Sequence, residues 1–243
     1  GACTDTMEYD GRYMMDNNYT VSKGLLHYAL ENEIPFIYAS SAAVYGTAEE
    51  FSEDPANERP ANIYGYSKLV FDQYVRQLMG EIASPVVGLR YFNVYGPREA
   101  HKGNMASVVF KFYRQLKAEG VIRLFEGTGG FGDGEQRRDF VFVEDVVRVN
   151  LFFLDSPTVG VFNVGTGRSR SFNAIARTLI QLQGSGEIVY IPFPPELRGR
   201  YQSYTEADLA ALRAAGYKDA FEPLEQGVSR YYDYLAACRS ETP

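Results

Sequence analysis

Two short apolar runs, residues 34–39 and 85–92, stand on either side of a helical stretch that begins near Asn62. The first, Ile34-Pro35-Phe36-Ile37-Tyr38-Ala39, ends in Ser40-Ser41; the second runs directly into Asn93. Near-continuous apolar runs of this length read as strands buried on both faces. Strand, helix, strand in that order points to an α/β fold with a parallel sheet. Open sheets of this kind bind ligands outside the carboxyl ends of their strands. Ser41 and Asn93 therefore stand where chemistry is expected.

The intervening helix opens Asn62-Ile63-Tyr64-Gly65-Tyr66-Ser67-Lys68. Tyr64 and Lys68 are four apart and share one helix face. A cation beside a phenol favours the phenolate and lowers a pKa that is otherwise near 10. Tyr64 is thus a candidate general acid/base, with Lys68 as the group that lowers its pKa and Ser41 as the hydroxyl that holds the reacting oxygen. Taken by itself the pair reads first as a solvated helix face, since Tyr-x-x-x-Lys arises often by chance. Tyr66, two residues before Lys68, lies on the wrong side.

The chain is long enough, at 243 residues, for one large domain or two small ones. A net charge of −7 argues against nucleic acid as the main partner, which calls for a basic surface. Cys3 and Cys238 are the only cysteines and fit a reducing cytoplasm. With no Cys-x-x-Cys, and with His27 and His101 isolated, no metal site is expected. No apolar run is long enough to span a bilayer, so no membrane role is expected either.

Strand-Ser-Ser, then Tyr-x-x-x-Lys, then Arg90-Tyr91-Phe92-Asn93-Val94-Tyr95-Gly96-Pro97-Arg98 resembles the extended short-chain dehydrogenase/reductase family of sugar-nucleotide epimerases and dehydratases. The continuation His101-Lys102-Gly103-Asn104-Met105-Ala106-Ser107, with Phe125-Glu126-Gly127 and Arg198-Gly199-Arg200-Tyr201-Gln202, narrows the resemblance to the ADP-L-glycero-D-manno-heptose 6-epimerases, over essentially the whole chain. The resemblance implies a Rossmann-type doubly wound parallel sheet, truncated at its N-terminus, with a smaller α/β substrate-binding domain. It divides the chain into 1–95 (cofactor domain), 96–138 (substrate segment), 139–168 (return to the cofactor domain) and 169–243 (mainly substrate domain). It also implies epimerisation of an ADP-heptose at C6″ through transient oxidation to a ketone with bound NADP, in lipopolysaccharide core biosynthesis, by a cytoplasmic homo-oligomer.

By the same resemblance Tyr64, Lys102, Ser41 and Lys68 are catalytic. Lys102 is a second acid/base facing Tyr64 across the substrate. Gly1, Ala2, Cys3, Thr4, Asn17, Lys68, Val94 and Lys102 hold the cofactor. Ser41, Asn93, Asn104, Lys111, Phe125, Glu126, Gly127, Thr128, Arg138 and Tyr201 hold the substrate. Three features depart from the family pattern: Lys111 replaces a histidine, Asn104 replaces a serine, and the loop at 127–137 is longer. The alternatives are another NDP-sugar C4-epimerase or dehydratase, and a non-catalytic fragment retaining the fold.

In the family, the Gly1-Ala2-Cys3 stretch follows the fourth strand. Two to three βαβ-type steps, roughly 75 residues at about 30 per unit, are therefore expected to precede it. On that expectation the chain alone has little activity; the rival is a complete protein with a rebuilt cofactor site. Gly127-Thr128-Gly129-Gly130-Phe131-Gly132 satisfies G-x-G-x-x-G but leads to another strand instead of a helix, so it reads as a flexible loop. Residues 13–31 read as a helix with Met14, Asn18, Val21, Leu25 and Tyr28 on one face. His27 reads as structural, and residues 47–61 as a solvated acidic loop without chemistry. Ser171 and Thr205 read as helix caps.

Overall fold

The computed structural model describes residues 2–195 and 201–238, in two compact units. Gly1 and the Arg198-Gly199-Arg200 motif lie outside the described residues. The first unit comprises Gly1–Phe92, Val146–Val164 and Ala207–Asp219; the second comprises Asn93–Asp145, Gly165–Glu206 and Ala220–Pro243.

The chain opens with α1 (Gly11–Met15), a five-residue π-turn (Asp16–Thr20) and α2 (Val21–Glu31). Then come β1 (Phe36–Ser41), α3 (Ile63–Leu78) and β2 (Val86–Tyr91). The second unit begins with β3 (Asn93–Tyr95), α4 (Val108–Glu119), β4 (Val121–Phe125), β5 (Arg137–Arg138) and β6 (Phe140–Phe142). Helix α5 (Val143–Leu154) carries the chain back to the first unit, where β7 (Gly160–Val164) follows. Next are β8 (Arg170–Ser171), α6 (Phe172–Gln183) and β9 (Glu187–Ile191) in the second unit. Last come α7 (Ala210–Ala214) in the first unit and α8 (Leu224–Ala237) in the second.

In the first unit β1, β2 and β7 form a parallel sheet in the order β1-β2-β7. Five of the six residues of β2, Val86 to Arg90, are buried, as expected of a central strand. The first strand starts two residues later than its apolar run. Pro35 has no N–H to donate, and pairing begins where the Phe36 N–H reaches the Pro85 carbonyl at 2.9 Å. That shift takes Ser40 and Ser41 into the strand.

Helix α3 starts where Asn62 Oδ1 accepts the Gly65 N–H at 2.8 Å, a cap worth about 1 kcal/mol. Its Leu69, Phe71 and Val75 are buried, the last two in an apolar cluster with Leu26, Tyr38 and Val86. The helix enters very close to the turn after β1: a Cβ on Gly65 would stand 2.5 Å from the Ala43 carbonyl oxygen. Gly88 makes a similar allowance on β2, where the ring of its register partner Tyr38 occupies the space of a side chain.

The helical face expected over residues 13–31 is correct only as far as Asn18. Met14 and Asn18 are buried, but Val21, Leu25 and Tyr28 are more than half exposed, and Leu26 and Ala29 are buried in their place. The π-turn is the reason: it spends an extra residue on one turn and advances the buried stripe by one position. Residues 47–61 also differ from expectation. The Glu58 side chain is 2% exposed and pairs with Arg76 and Arg90, while Glu53 Oε1 accepts the Asn163 N–H at 2.7 Å. His27 is structural, its Nε2 2.5 Å from the Tyr74 hydroxyl.

The second unit has its own core, with Tyr95, Val109, Phe112, Leu116, Phe142, Ile175, Leu179, Val228 and Tyr231. Strands β3 and β6 pair in parallel, as do β4 and β9, while β5 and β8 are antiparallel. Ser171 caps α6 through the Ala174 N–H. Thr205 does not cap α7: its hydroxyl accepts the Asp139 N–H at 3.4 Å, and Asp208 takes the Ala210 N–H instead. Among the described residues no helix is long and apolar enough to cross a membrane, and both cysteines are free.

Candidate active site

Three polar side chains of the first unit converge at the carboxyl end of β1. Ser41 is the last residue of that strand and is buried; its hydroxyl stands beside the Tyr64 side chain and favours the phenolate. Tyr64 lies in the first turn of α3, and Lys68 follows one turn later. The Lys68 ammonium, largely buried, donates to the Ala39 carbonyl at 2.9 Å and lies 5.9 Å from the centre of the Tyr64 ring. The sequence spacing therefore holds in space. Tyr66 is 54% exposed, on the other side of the helix.

The electrostatics differ from expectation in one respect. Burial pushes the Tyr64 hydroxyl above the ordinary phenol value, the Ser41 hydroxyl pulls it back, and nearby Cys3 pushes it up again. Lys68 was expected to bring Tyr64 down. In the chain alone the lowering group is Ser41, while burial draws the Lys68 ammonium below its own ordinary value and the Asp72 carboxylate opposes that fall.

The Tyr64 turn is braced from behind by a buried polar network that joins Asn18, Cys3 and Ser67. Asn18, buried in the π-turn, accepts the Cys3 N–H at 2.7 Å and donates to the Cys3 carbonyl and to Ser67 Oγ at 3.0 Å each. The Ser67 hydroxyl donates in turn to the Tyr64 carbonyl at 2.7 Å. A buried amide in an apolar stripe is the signal that could have found Asn18. Its neighbour Asn17, the residue singled out, is half-buried and donates to the Tyr13 carbonyl at 2.8 Å. Ala2 and Thr4 are exposed on either side of Cys3.

The second unit gathers five of the ten expected substrate residues into two clusters. In one, the Lys111 Nζ donates to the Asn104 carbonyl at 2.7 Å, which joins the two positions that depart from the family pattern. Lys102 is exposed on the 3₁₀ turn Ala100–Met105, beside Asn104. In the other, the buried Arg138 guanidinium stands 4.8 Å from the Tyr201 ring centre, and Phe193 links Tyr201 to Phe125 edge-on. Burial lowers the Arg138 guanidinium and Tyr201 opposes that. Asn93 and Val94 begin β3, where the Asn93 N–H donates to the Asp139 carbonyl at 3.0 Å.

The glycine-rich loop after β4 does not open a helix and leads to β5. It is tied at its base. Gly127 N–H donates to Asp133 Oδ1 at 2.7 Å, Gln136 reaches the Glu126 carbonyl at 2.9 Å, and Asn173 reaches the Asp133 carbonyl at 2.8 Å. Thr128 closes a turn by accepting the Phe131 N–H.

The donor set of the first unit fits a dinucleotide. Lys68 has three N–H donors and the Ala39 carbonyl accepts one, leaving two for a vicinal diol such as a ribose. A hydroxyl–phenol pair beside it suits an alcohol that is being oxidised.

The model of the NAD dependent epimerase/dehydratase family matches residues 1–165. The ADP-L-glycero-D-manno-heptose-6-epimerase of Alkalilimnicola ehrlichii is 59% identical over 100% of this chain and 76% of its own length. That of Thiobacillus denitrificans is 56% identical over 97% and 76%. Among solved structures, the Helicobacter pylori ADP-L-glycero-D-manno-heptose-6-epimerase superposes with a TM-score of 0.85 at 35% identity, over 98% of this chain and 71% of that one. With this similarity, and with Ser41, Tyr64 and Lys68 gathered at the end of a parallel strand, the chain belongs to the NAD dependent epimerase/dehydratase family, on the branch of the ADP-L-glycero-D-manno-heptose-6-epimerases.

Proposed function

We propose that the protein interconverts ADP-D-glycero- and ADP-L-glycero-D-manno-heptose at C6″, in the supply of heptose for the lipopolysaccharide core. The observation that carries this reading is the Ser41–Tyr64–Lys68 cluster in a chain 59% identical to a relative of that name. Bound NADP supplies the hydride acceptor and donor for a transient oxidation with no net redox change. Ala2, Cys3, Thr4, Asn17, Lys68, Val94 and Lys102 are the residues assigned to hold it.

Tyr64 Oη takes the C6 hydroxyl proton as that carbon becomes a ketone, and returns a proton when the alcohol is restored. Ser41 holds the reacting oxygen and makes the phenolate easier to form. The Lys68 charge stabilises that phenolate once formed. Lys102 serves as the second acid/base, for the other epimer. Lys111, Arg138 and Tyr201 bind the ADP moiety; their ammonium, guanidinium and hydroxyl donors suit a diphosphate. The reading carries with it a cytoplasmic homo-oligomer, for which the mass in solution is the measurement.

The test is turnover of purified ADP-heptose against UDP-galactose and a dTDP-hexose, with Tyr64→Phe alongside. Epimerisation of the heptose alone, falling by about 10²–10⁴-fold in the variant, is expected. Full-rate epimerisation by Tyr64→Phe removes Tyr64 from its role, and turnover of UDP-galactose instead moves the chain to the C4-epimerases. Mass spectrometry of nucleotide released on denaturation separates NADP from NAD.

A further inference from the structure

Helix α3 presents three polar side chains at four-residue intervals, Tyr64, Lys68 and Asp72, and each meets β1. Tyr64 meets Ser41, Lys68 meets the Ala39 carbonyl, and Asp72 accepts the hydroxyls of Tyr38 and Ser40 at 2.9 Å each. Four consecutive strand residues are thereby tied to one helix face. Asp72 is fully buried, and so is Arg90 of β2, whose Nε donates to Asp72 Oδ2 at 2.9 Å.

The geometry points to Asp72 as a positioning residue for the Tyr64–Lys68 pair: the two hydroxyls it accepts, from Tyr38 and Ser40, bracket Ala39 and hold in register the carbonyl that binds the Lys68 ammonium, with the carboxylate one helical turn from that ammonium. This rests on the functional reading above. A buried ammonium with one carbonyl partner loses much of the hydration that favours its charge. Asp72, one turn along the same helix, is the carboxylate that opposes that loss.

The groups around Asp72 sharpen the inference. From β1 it faces Tyr38 and Ser40, from β2 Arg90, and from its own helix Lys68. Arg90 is shared: it also pairs with Glu58 and donates to the Tyr45 hydroxyl at 3.1 Å, and Glu58 pairs with Arg76 as well. Arg90 therefore has a second carboxylate, whereas Asp72 is the carboxylate that acts on Lys68.

The experiment is a pH titration of the Lys68 side chain by NMR of the lysine-labelled protein, with steady-state epimerisation on the same samples. Three variants are compared: Asp72→Asn, Asp72→Glu and the double variant Asp72→Asn/Arg90→Met. The double variant removes both buried charges together, so that the result does not depend on an arginine that has lost one of its two carboxylates. In Asp72→Asn and in the double variant the Lys68 midpoint is expected to move to lower pH, with kcat about tenfold down at alkaline pH and KM little changed. Asp72→Glu, which keeps the charge, is expected to restore the midpoint. A folded double variant with the parent midpoint and pH profile overturns the proposal. Tyr64→Phe would still be inactive in that case, which leaves the functional reading intact. A full-rate Tyr64→Phe with a shifted Lys68 midpoint would do the reverse.

Discussion

At the scale of single residues, the Ser41 hydroxyl is the group whose removal has the most readable sign. It lowers the Tyr64 hydroxyl against the upward push of burial. In Ser41→Ala that help is lost, so the phenolate forms at higher pH. The acid limb of the pH–rate profile should move upward, with turnover near neutral pH down by about 10²-fold. An unmoved limb would separate Ser41 from the titration of Tyr64. Glu58 gives a stability prediction of the opposite kind. Burial opposes its ionisation, but Arg76 and Arg90 outweigh that and hold it below the ordinary carboxylate range. Its contribution is therefore present above the unfolded value of about 4.3 and is lost as pH falls through the lower folded value. Thermal melts of Glu58→Gln should show about 3 kcal/mol less stability at pH 7, and the deficit should shrink as the melts are taken into acid. The Ser41–Tyr64–Lys68 cluster was legible in the sequence because its members sit at fixed offsets from strand and helix ends. Asn18 shows there as an amide in an apolar stripe, but the partners of Asn18, Asp72 and Arg90 do not, because a polar side chain carries no mark of what it will meet across the fold.

At the scale of elements, the contact between α3 and the turn after β1 sets backbone directly against backbone. A methyl group at position 65 meets a backbone oxygen at 2.5 Å, and a carbonyl cannot swing aside as a side chain can. Gly65→Ala should cost about 1–3 kcal/mol by forcing the first turn of α3 outward. Because Tyr64 precedes it, activity should fall more than stability alone explains, as melting curves and kcat measured on one preparation will show. The strands and α3 were readable from apolar runs and one cap. The phase of α2 was not, since periodicity counts residues and assumes 3.6 per turn, and a π-turn changes that count without a distinctive composition. The loop at 47–61 misled for a related reason. Its carboxylates look solvated in sequence, yet two of them reach arginine and backbone partners on distant elements.

At the scale of the whole molecule, each compact unit depends on the last quarter of the chain. Leu212 and Tyr217 are buried in the first unit, and Leu224, Val228 and Tyr231 in the second. Large apolar side chains of this kind are each worth about 2–5 kcal/mol in a core, against a total stability of about 5–15 kcal/mol. A chain ended after Glu206 should therefore give no cooperative melt by circular dichroism, in place of one intact and one damaged unit. The polypeptide passes from one unit to the other at 92/93, 145/146, 164/165, 206/207 and 219/220. A gene laid out in this way cannot hand on either unit as a single stretch. Recombination that swapped one contiguous half for a foreign sequence would bring stray pieces of the other with it. New substrate preferences on this scaffold are thus reached more readily by substitution within loops than by exchange of whole modules.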